Sequence, residues 1–347
     1  MARAEGRSSE HDDLPSTRGR TWRPIVRWLG VALVIGCVVW TARRVDGAGV
    51  ARALASANLA LLALASVASL AMQVGKTLFW GTMVAPVARV PWPRVFRYTI
   101  VAAAASAIAP ARAGDFARLW MFKRHGVSMR TTGAIVGWEK VSDFLALLLI
   151  VAPLPWLLPS LPKPALSALR ALSLAPLFVI VAAVAVHRSA RVRAWMKMPE
   201  GMAGAMLLAL VPNALAWLAD LGAIALVSRS LGLGGSFATC ALVLLGVNVA
   251  ILVPATPANA GTLELGAIVA LGVAGVSTER ATAFALLYHV MQLAPVVAIG
   301  LALGRGVLGR PRSIAPAASP AKESVPRRDP GGDVDLVLRG ARTSNAG

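Results

Sequence analysis

Apolar runs that recur along the chain, separated by basic loops, constrain its fold more than any other feature. A run of about 20 apolar residues is long enough to cross the hydrocarbon core of a bilayer as a helix. Such runs occupy residues 25–42, 59–85, 132–151, 166–186, 202–227, 237–253 and 281–303. Only 15% of the residues are charged, whereas soluble domains carry roughly 25%. The sequence therefore predicts an all-α, polytopic integral membrane protein with about eight transmembrane helices.

The charge distribution indicates how the chain lies in the membrane. The net charge is +19, and the basic residues fall mostly between and beyond the apolar runs. The positive-inside rule explains this pattern, and the sequence offers no soluble basic module that would hold nucleic acid. Both basic ends flank terminal runs, so we expect both termini on the cytoplasmic side of an inner membrane.

The same patterns divide the chain into segments. We expect a disordered cytoplasmic arm over residues 1–23, a transmembrane domain over 24–304 and a disordered basic tail over 305–347. The run at 25–42 has a rival interpretation as a signal peptide, because Ala53-Leu-Ala55 resembles a cleavage site. Arg43 and Arg44 separate the run from that site, which favours a retained first helix.

A short tract recurs inside the apolar region, where Pro110-Ala-Arg-Ala-Gly114 returns as Pro257-Ala-Asn-Ala-Gly261. The two copies differ only at the middle position, which is Arg112 in the first and Asn259 in the second. Proline and glycine interrupt helices. The predicted structural breakers are therefore Pro110, Gly114, Pro254, Pro257 and Gly261.

Each tract borders a short apolar run and a carboxylate. The runs at 98–109 and 263–273 are too short to cross a bilayer, and Asp115 and Glu264 follow the two glycines. Polar groups are costly at membrane depth unless they line a protected cavity. We therefore predict re-entrant or broken helices at both tracts. Their repetition suggests an inverted repeat whose tracts meet at one polar site.

Ionisable residues inside a predicted span mark a candidate binding site. The acidic group in the run at 132–151 consists of Glu139, Lys140 and Asp143. Its net negative charge requires an outside cation, and Arg112 and Arg118 are the predicted partners. Asp115 and Arg118 share a face if the chain after the first tract is helical. The alternative is that the ion pairs only fix helix packing, while the arginines contact lipid phosphates without selection.

Further polar residues suggest a proton pathway. Asp143, Asp220, Glu264 and His289 lie in apolar segments, and histidine titrates near neutral pH. We hypothesise that they exchange protons, and the alternative for His289 is a hydrogen bond to a neighbouring helix. Lys76 is expected to snorkel to the membrane surface, and Asn248 to hold two helices together.

Motifs of enzymes and of cofactor sites are missing from the sequence. It contains no His-Glu-x-x-His, no Gly-x-Ser-x-Gly and no P-loop. Cys37 and Cys240 have no metal-like spacing. We therefore expect no catalytic residue, no metal and no cofactor.

At the tracts and the acidic group, the sequence resembles a known family. The matching motifs are Pro110-x-Arg112-x-Gly114-Asp115-x-x-Arg118, Glu139-Lys140-x-x-Asp143 and Pro254-x-Thr256-Pro257-x-x-x-Gly261-x-x-Glu264. They look like motifs of the lysylphosphatidylglycerol synthase transmembrane family. Its members are flippase-like proteins, similar to the flippase half of the bacterial multiple peptide resistance factor. The resemblance covers residues 25–303, and the separate synthase domain of two-part members is not expected in the short tail that follows.

The resemblance implies a membrane protein that binds and translocates an anionic or amphiphilic lipid. The candidate substrate-binding residues are Arg112, Asp115, Arg118, Glu139, Lys140, Asp143, Asn259 and Glu264. Of the carboxylates, Glu139, Asp143 and Glu264 are expected to balance the arginines. The rival functions are a membrane scaffold for a lipid-modifying enzyme or glycosyltransferase, and a transporter of small solutes or ions.

Several positions depart from the family pattern. The family usually has glutamate where Asp115 stands, arginine where Lys140 stands and arginine where His289 stands. It usually has Pro-Gly-Gly-x-Gly at the second tract, where this chain has Ala258 and Asn259 in place of the two middle glycines. The resemblance therefore implies a less tightly turned second tract and a charge in the last span that depends on pH.

Overall fold

The computed structural model describes residues 46–108, 113–189, 199–252 and 257–305. The predicted arm at 1–23, the predicted span at 25–42, the tail beyond Arg305 and the predicted residues Pro110, Arg112 and Pro254 lie outside these ranges. Every regular element among the described residues is helical. This confirms the predicted all-α class.

The helices are numbered in chain order. Helices α1 to α6 span Gly47–Ala55, Leu59–Val84, Trp92–Ile108, Ala113–Lys123, Met129–Val151 and Leu154–Leu157. Helices α7 to α12 span Lys163–Arg188, Met202–Leu208, Leu210–Ser230, Phe237–Ala250, Thr262–Val273 and Thr278–Gly304. A 3-10 turn, Pro257–Asn259, lies between α10 and α11.

Long apolar helices make this chain a multi-pass membrane protein. In the described part of the chain, 4 helical stretches are long and apolar enough to cross a membrane. They are Leu59–Val84, Lys163–Val181, Met202–Ser230 and Thr278–Gly304. The third stretch contains a break at Ala209, which separates α8 from α9. The number of about eight crossings stays a prediction.

Local sequence signals set the helix boundaries. The side chain of Asn58 accepts hydrogen bonds from N–H groups in the first turn of α2, and Ser128 and Ser236 cap α5 and α10 in the same way. Pro86 follows the end of α2, because proline cannot continue the hydrogen-bond ladder of a helix. The observed boundaries lie close to the predicted runs, since caps and breakers act locally.

Helices α3 and α4, which flank the first tract, form a hairpin that is named hairpin 1. The rings of Tyr98 and Phe122 meet edge-on with centroids 5.5 Å apart. At the other end of the pair, the backbone N–H of Gly114 donates to Ser106 Oγ at 3.2 Å. A Cβ on Gly114 would lie 2.1 Å from a backbone oxygen of α3, so the close approach requires glycine. The two helices are therefore antiparallel and return to the same side.

Helices α10 and α11, which flank the second tract, form a matching hairpin that is named hairpin 2. A Cβ on Gly246 would lie 2.7 Å from the backbone oxygen of Gly266, and the reverse distance would be 2.5 Å. Helix α10 has 14 residues and α11 has 12. Helices of this size are about 20 Å long, which is shorter than the roughly 30 Å core of a bilayer. Helix α11 thus has the length of the predicted re-entrant element, whereas α10 corrects the prediction of a full crossing at 237–253, because its helix ends at Ala250.

The two hairpins approach α12 from opposite ends. At its C-terminal end, Arg97 Nε of α3 donates to the carbonyl of Leu303 at 2.8 Å, and α3 then runs back past Gly300. At its N-terminal end, a short connection joins Val273 of hairpin 2 to α12, and the start of α11 reaches the middle of α12 at His289. The 3-10 turn also packs on α3. The inverted repeat, and the meeting of the two tracts at one site, stay predictions, because residues 109–112 lie outside the described residues.

Candidate functional site

Charged side chains that are buried or partly buried lie between α2, α4 and α5. They are Lys76, Arg118, Glu139 and Asp143, and are called the buried charge network. Arg118 Nη1 donates to Glu139 Oε2 at 2.7 Å. The Lys76 amine donates to the Asp143 carboxylate and lies 3.8 Å from Glu139 Oε1. The cations therefore balance the carboxylates, which is the condition under which charges are tolerated away from water.

Tryptophan donors support both carboxylates. Trp80 Nε1 of α2 donates to Glu139 Oε2 at 3.2 Å, and Trp217 Nε1 of α9 donates to Asp143 Oδ1 at 3.0 Å. Glu139 is only 2% exposed, so these bonds replace water that the carboxylate has lost. Because the partners come from different helices, the positions of the carboxylates depend on the packing of α2, α5 and α9.

Unpaired donors lie beside these ion pairs. Among the described residues, Arg118 Nε and Asn213 Nδ2 are buried without a hydrogen-bond partner. Asn213 accepts from Lys76 Nζ at 2.9 Å through its oxygen, and the Arg118 guanidinium lies 4.8 Å from the Trp80 ring centroid. A buried unpaired donor costs about 1–3 kcal/mol, and each such atom calls for an explanation. Both are N–H groups, so each is available to donate a hydrogen bond to an oxygen acceptor.

The structure brings several predicted site residues together. Arg118 supplies the cation that the acidic group was predicted to need. Lys140 lies at the edge, with Nζ 3.9 Å from Asp143 Oδ2 and a side chain that is 47% exposed. Asp115 lies on α4 with Arg118, as predicted, but the ion pair of Arg118 is made with Glu139.

Lys76 corrects one expectation from the sequence. The predicted snorkelling is wrong, because the residue is 7% exposed and its amine donates to Asp143. Charge balance was the signal that could have found it, since the carboxylates of α5 need more than the one buried cation that Arg118 supplies. Asn213 and Trp217 carry no comparable signal, because tertiary packing decides which helix faces α5.

Another polar pair, Glu264 and His289, joins the start of α11 to the middle of α12. His289 Nδ1 lies 2.6 Å from Glu264 Oε1, and Glu264 Oε2 accepts the backbone N–H of Gly261 at 2.6 Å. Ala258 and Asn259 have φ values of 55° and 57°, a region that is costly for residues other than glycine. The tight turn is therefore kept without the family's usual glycines. Glu264 pairs with His289 and does not balance Arg118 as expected.

Two asparagines have local roles in the structure. The backbone oxygen of Asn259 accepts a hydrogen bond from Thr262 Oγ1 at 2.8 Å, which places this predicted substrate contact in the turn of hairpin 2. Asn248 Nδ2 donates to the carbonyl of Leu244 in its own helix at 2.8 Å. The side-chain amide of Asn248, which was expected to join two helices, therefore makes this hydrogen bond within its own helix.

Asp220 forms a third polar group with α12. Tyr288 Oη donates to Asp220 Oδ1 at 2.8 Å, and Gln292 Nε2 donates to the same oxygen at 2.6 Å. Asp220 is 5% exposed, and both of these partners are neutral. Gln292 lies one turn from His289 on α12. Helix α12 therefore contacts Asp220 and Glu264, whereas Asp143, the third carboxylate of the proton-pathway hypothesis, pairs with Lys76 of α2.

The base of hairpin 1 carries a histidine outside the membrane-spanning segments. His125 Nε2 lies 2.9 Å from Tyr98 Oη, a contact that ties the loop after α4 back to α3. Burial, and then the charge of Arg94, lower the pKa of His125 below its ordinary value of 6.5. A neutral imidazole ring can accept a hydrogen bond from the hydroxyl group of Tyr98 through Nε2.

Two helix hairpins that pack on α12, with buried charges between long apolar helices, are features of a multi-pass membrane protein. The family model described as the lysylphosphatidylglycerol synthase TM region matches residues 27–300. The chain therefore belongs to this membrane, lipid-related family, which confirms the resemblance seen in its motifs. A comparison with curated proteins found no match.

Proposed function

We propose that this protein binds the head group of an anionic or amphiphilic membrane lipid at the buried charge network and carries it across the bilayer. The observation that carries the proposal is the network itself, whose charges are balanced and in which Arg118 Nε and the neighbouring Asn213 Nδ2 have no partner among the described residues. The acyl chains remain in the lipid phase, so only a polar path for the head group is needed. The chemistry calls for no catalytic residue and no cofactor.

The geometry supports a specific exchange of partners. A lipid phosphate can take up Arg118 Nε, which has no partner among the described residues, together with one terminal nitrogen of the same guanidinium. Glu139 then keeps its hydrogen bond from Trp80 and its proximity to Lys76. The arginine thus exchanges one oxyanion partner for another, so its own charge stays paired while the head group enters.

The hairpins supply access to this site from the two faces of the membrane. They approach α12 from opposite ends, and hairpin 1 carries Arg118 on α4. In transporters, discontinuous helices in an inverted arrangement commonly frame a polar site near the bilayer midplane. Small movements of either hairpin would therefore expose the same site to one leaflet or the other.

Reconstitution tests this proposal directly. The purified chain is placed in liposomes that contain lipids with fluorescent head groups, and an impermeant quencher reports the fraction in the outer leaflet over time. Wild type is expected to move the label between leaflets, and Arg118→Gln to slow the movement by roughly tenfold or more, since hydrogen bonds to charged groups are worth about 1.5–3 kcal/mol. Arg130→Gln removes an exposed cation from α5, the helix that carries Glu139, at a position outside the candidate site, and is the matched control.

The outcomes separate the rival functions. Wild-type movement in Arg118→Gln would contradict the assignment of the head group to this network. Absence of movement in folded wild type, with every lipid tried, would favour the scaffold for a lipid-modifying enzyme or glycosyltransferase. Uptake of a small solute or ion into the same liposomes, without lipid movement, would favour a solute transporter. Arg112→Ala in the first tract is expected to behave like Arg118→Gln.

We propose further that the Glu264–His289 pair couples movement of the head group to protons. The pair joins the turn of hairpin 2 to α12, so a change in its charge acts on the hairpin that gates the site. Histidine is the side chain that changes charge near neutral pH. His289→Arg should remove the pH dependence while keeping the cation, and His289→Gln should remove it while keeping a neutral side chain. A pH profile unchanged in both variants would refute the coupling.

A further inference from the structure

A cavity of about 700 Å³ opens beside the end of α2, away from the site described above. Its walls are the last turns of α2, the loop that leads to α3, the first turn of α3 and the end of α8. The lining is apolar apart from Thr82 and Arg89, and Trp92 forms part of the wall. Cavities that hold small amphiphiles typically have volumes of about 300–1,000 Å³, with an apolar lining and few polar groups.

The shape of this cavity depends on a glycine. A Cβ on Gly81 would lie 2.6 Å from the ring of Trp92, so the indole packs directly against the backbone of α2. Trp92 is nevertheless 51% exposed, because its other face borders the opening. Two of the lining residues, Val84 and Val95, are tightly packed, because each is only 1% exposed. The cavity is therefore a built groove between packed helices.

The position of the cavity matches the membrane–water interface. The apolar span of α2 ends at Val84, and the loop that follows carries Arg89, which is exposed at the cavity. Tryptophan is enriched at the level of lipid head groups, and arginines beside a span attract anionic lipids. An apolar groove with an arginine at its mouth thus complements an acyl chain with a phosphate above it.

This cavity is separate from the buried charge network. On α2, Trp80 turns its indole toward Glu139, whereas the next residue, Gly81, lines the cavity. The two sites therefore lie on different faces of one helix. A ligand in the cavity need not enter the network, and occupancy of the cavity can be measured without any transport assay.

We propose that this cavity is a binding site for one anionic phospholipid of the adjacent leaflet, with an acyl chain in the groove and the phosphate on Arg89. The lipid is held by charge as well as by burial, so phosphatidylglycerol binds better than phosphatidylcholine. The site is independent of the proposed translocation, and it gives this face of the protein a preference for anionic lipid.

Lipid retention on the intact chain tests the proposal. Wild type in detergent receives phosphatidylglycerol or phosphatidylcholine, and native mass spectrometry counts the lipids that stay bound. Arg89→Gln is expected to weaken retention of phosphatidylglycerol about fivefold, the effect of one basic residue near an anionic lipid surface. Arg94→Gln, which removes an exposed arginine of α3 that does not line the cavity, is the matched control and should retain the lipid.

A second measurement locates the acyl chain. Brominated phosphatidylglycerol should quench Trp92, and the Trp92→Phe variant supplies the signal of the other tryptophans. Gly81→Val pushes the indole off α2 and should abolish the quenching, and equal thermal unfolding midpoints show that each variant is folded. Equal retention of both lipids by wild type, equal retention by the Arg89→Gln and Arg94→Gln variants, or unquenched Trp92 would each overturn the proposal.

Discussion

Replacing Lys76 with methionine removes a buried cation while keeping a side chain of similar length and shape. In wild type, the Lys76 amine donates to Asp143 and to Asn213 Oδ1 and lies 3.8 Å from Glu139. Lys76→Met leaves the Asp143 carboxylate with the hydrogen bond from Trp217 and the looser contact with Lys140. The variant therefore tests whether the charges inside the bundle depend on each other.

The size of the effect follows from burial. Removing one partner of a buried ion pair costs about 3–5 kcal/mol, because the other charge is left without compensation. The side chain of Asp143 is 19% exposed and keeps other donors, so we expect the lower end, about 3 kcal/mol. Lys140→Met breaks a half-exposed pair and should cost at most about 1 kcal/mol.

A double-mutant cycle measures this interaction. Wild type, Lys76→Met, Asp143→Asn and the double variant are unfolded in mixed micelles by increasing fractions of denaturing detergent, with circular dichroism as the readout. The double variant removes both charges together, so it should be more stable than the sum of the single changes implies. Asparagine keeps an oxygen for the indole N–H of Trp217.

Two results would refute the reasoning. A Lys76→Met protein as stable as Lys140→Met would mean that the lysine is not paired inside the bundle. A double variant whose loss equals the sum of the single losses would mean that Lys76 and Asp143 do not interact, whatever their separation. Either result would also remove the charge balance on which the proposed entry of a lipid head group depends.

Other predictions concern backbone fit and pH. Gly114→Ala places a Cβ 2.1 Å from a backbone oxygen of α3 and should lower the thermal unfolding midpoint, whereas Gly133→Ala meets nothing within 4 Å and should not. Burial lowers the pKa of His125 from 6.5, so the folded state binds fewer protons than the unfolded state. The unfolding free energy should therefore decrease as the pH falls below about 6.5, and His125→Gln should flatten this slope. Ala258→Gly relieves a φ of 55° and should raise the unfolding free energy by about 1 kcal/mol. A loss of stability in that variant would show that alanine is held without strain.

The sequence predicted the helical elements well because their signals are local. Apolar length, the cap at Asn58 and the break at Pro86 each act within a turn or two of the backbone. The repeated tract predicted a pair of interrupted helices for the same reason. Glycines at the crossings, such as Gly114 and Gly246, were visible in the sequence, but their partners across the hairpins were not.

The polar partners were harder to predict. The acidic group on α5 required buried cations, and charge alone pointed to Arg118. The same reasoning assigned Lys76 to the membrane surface, and the structure corrects this assignment. Glu264 was assigned to the arginines but pairs with His289, and Arg112 lies outside the described residues. A lysine side chain can reach either a surface or a neighbouring helix, and its sequence position does not distinguish the two.

The sequence by itself determined that this is an all-α membrane protein of the lysylphosphatidylglycerol synthase TM family with two matched helix breaks. Only the tertiary structure decided that the hairpins approach α12 from opposite ends, and that Lys76, Arg118, Glu139 and Asp143 share one network. The physical reason is the distance along the chain over which each signal acts. Hydropathy, caps and breakers act between near neighbours in the chain, whereas a buried charge is stabilised by whichever distant helix rotates a partner toward it.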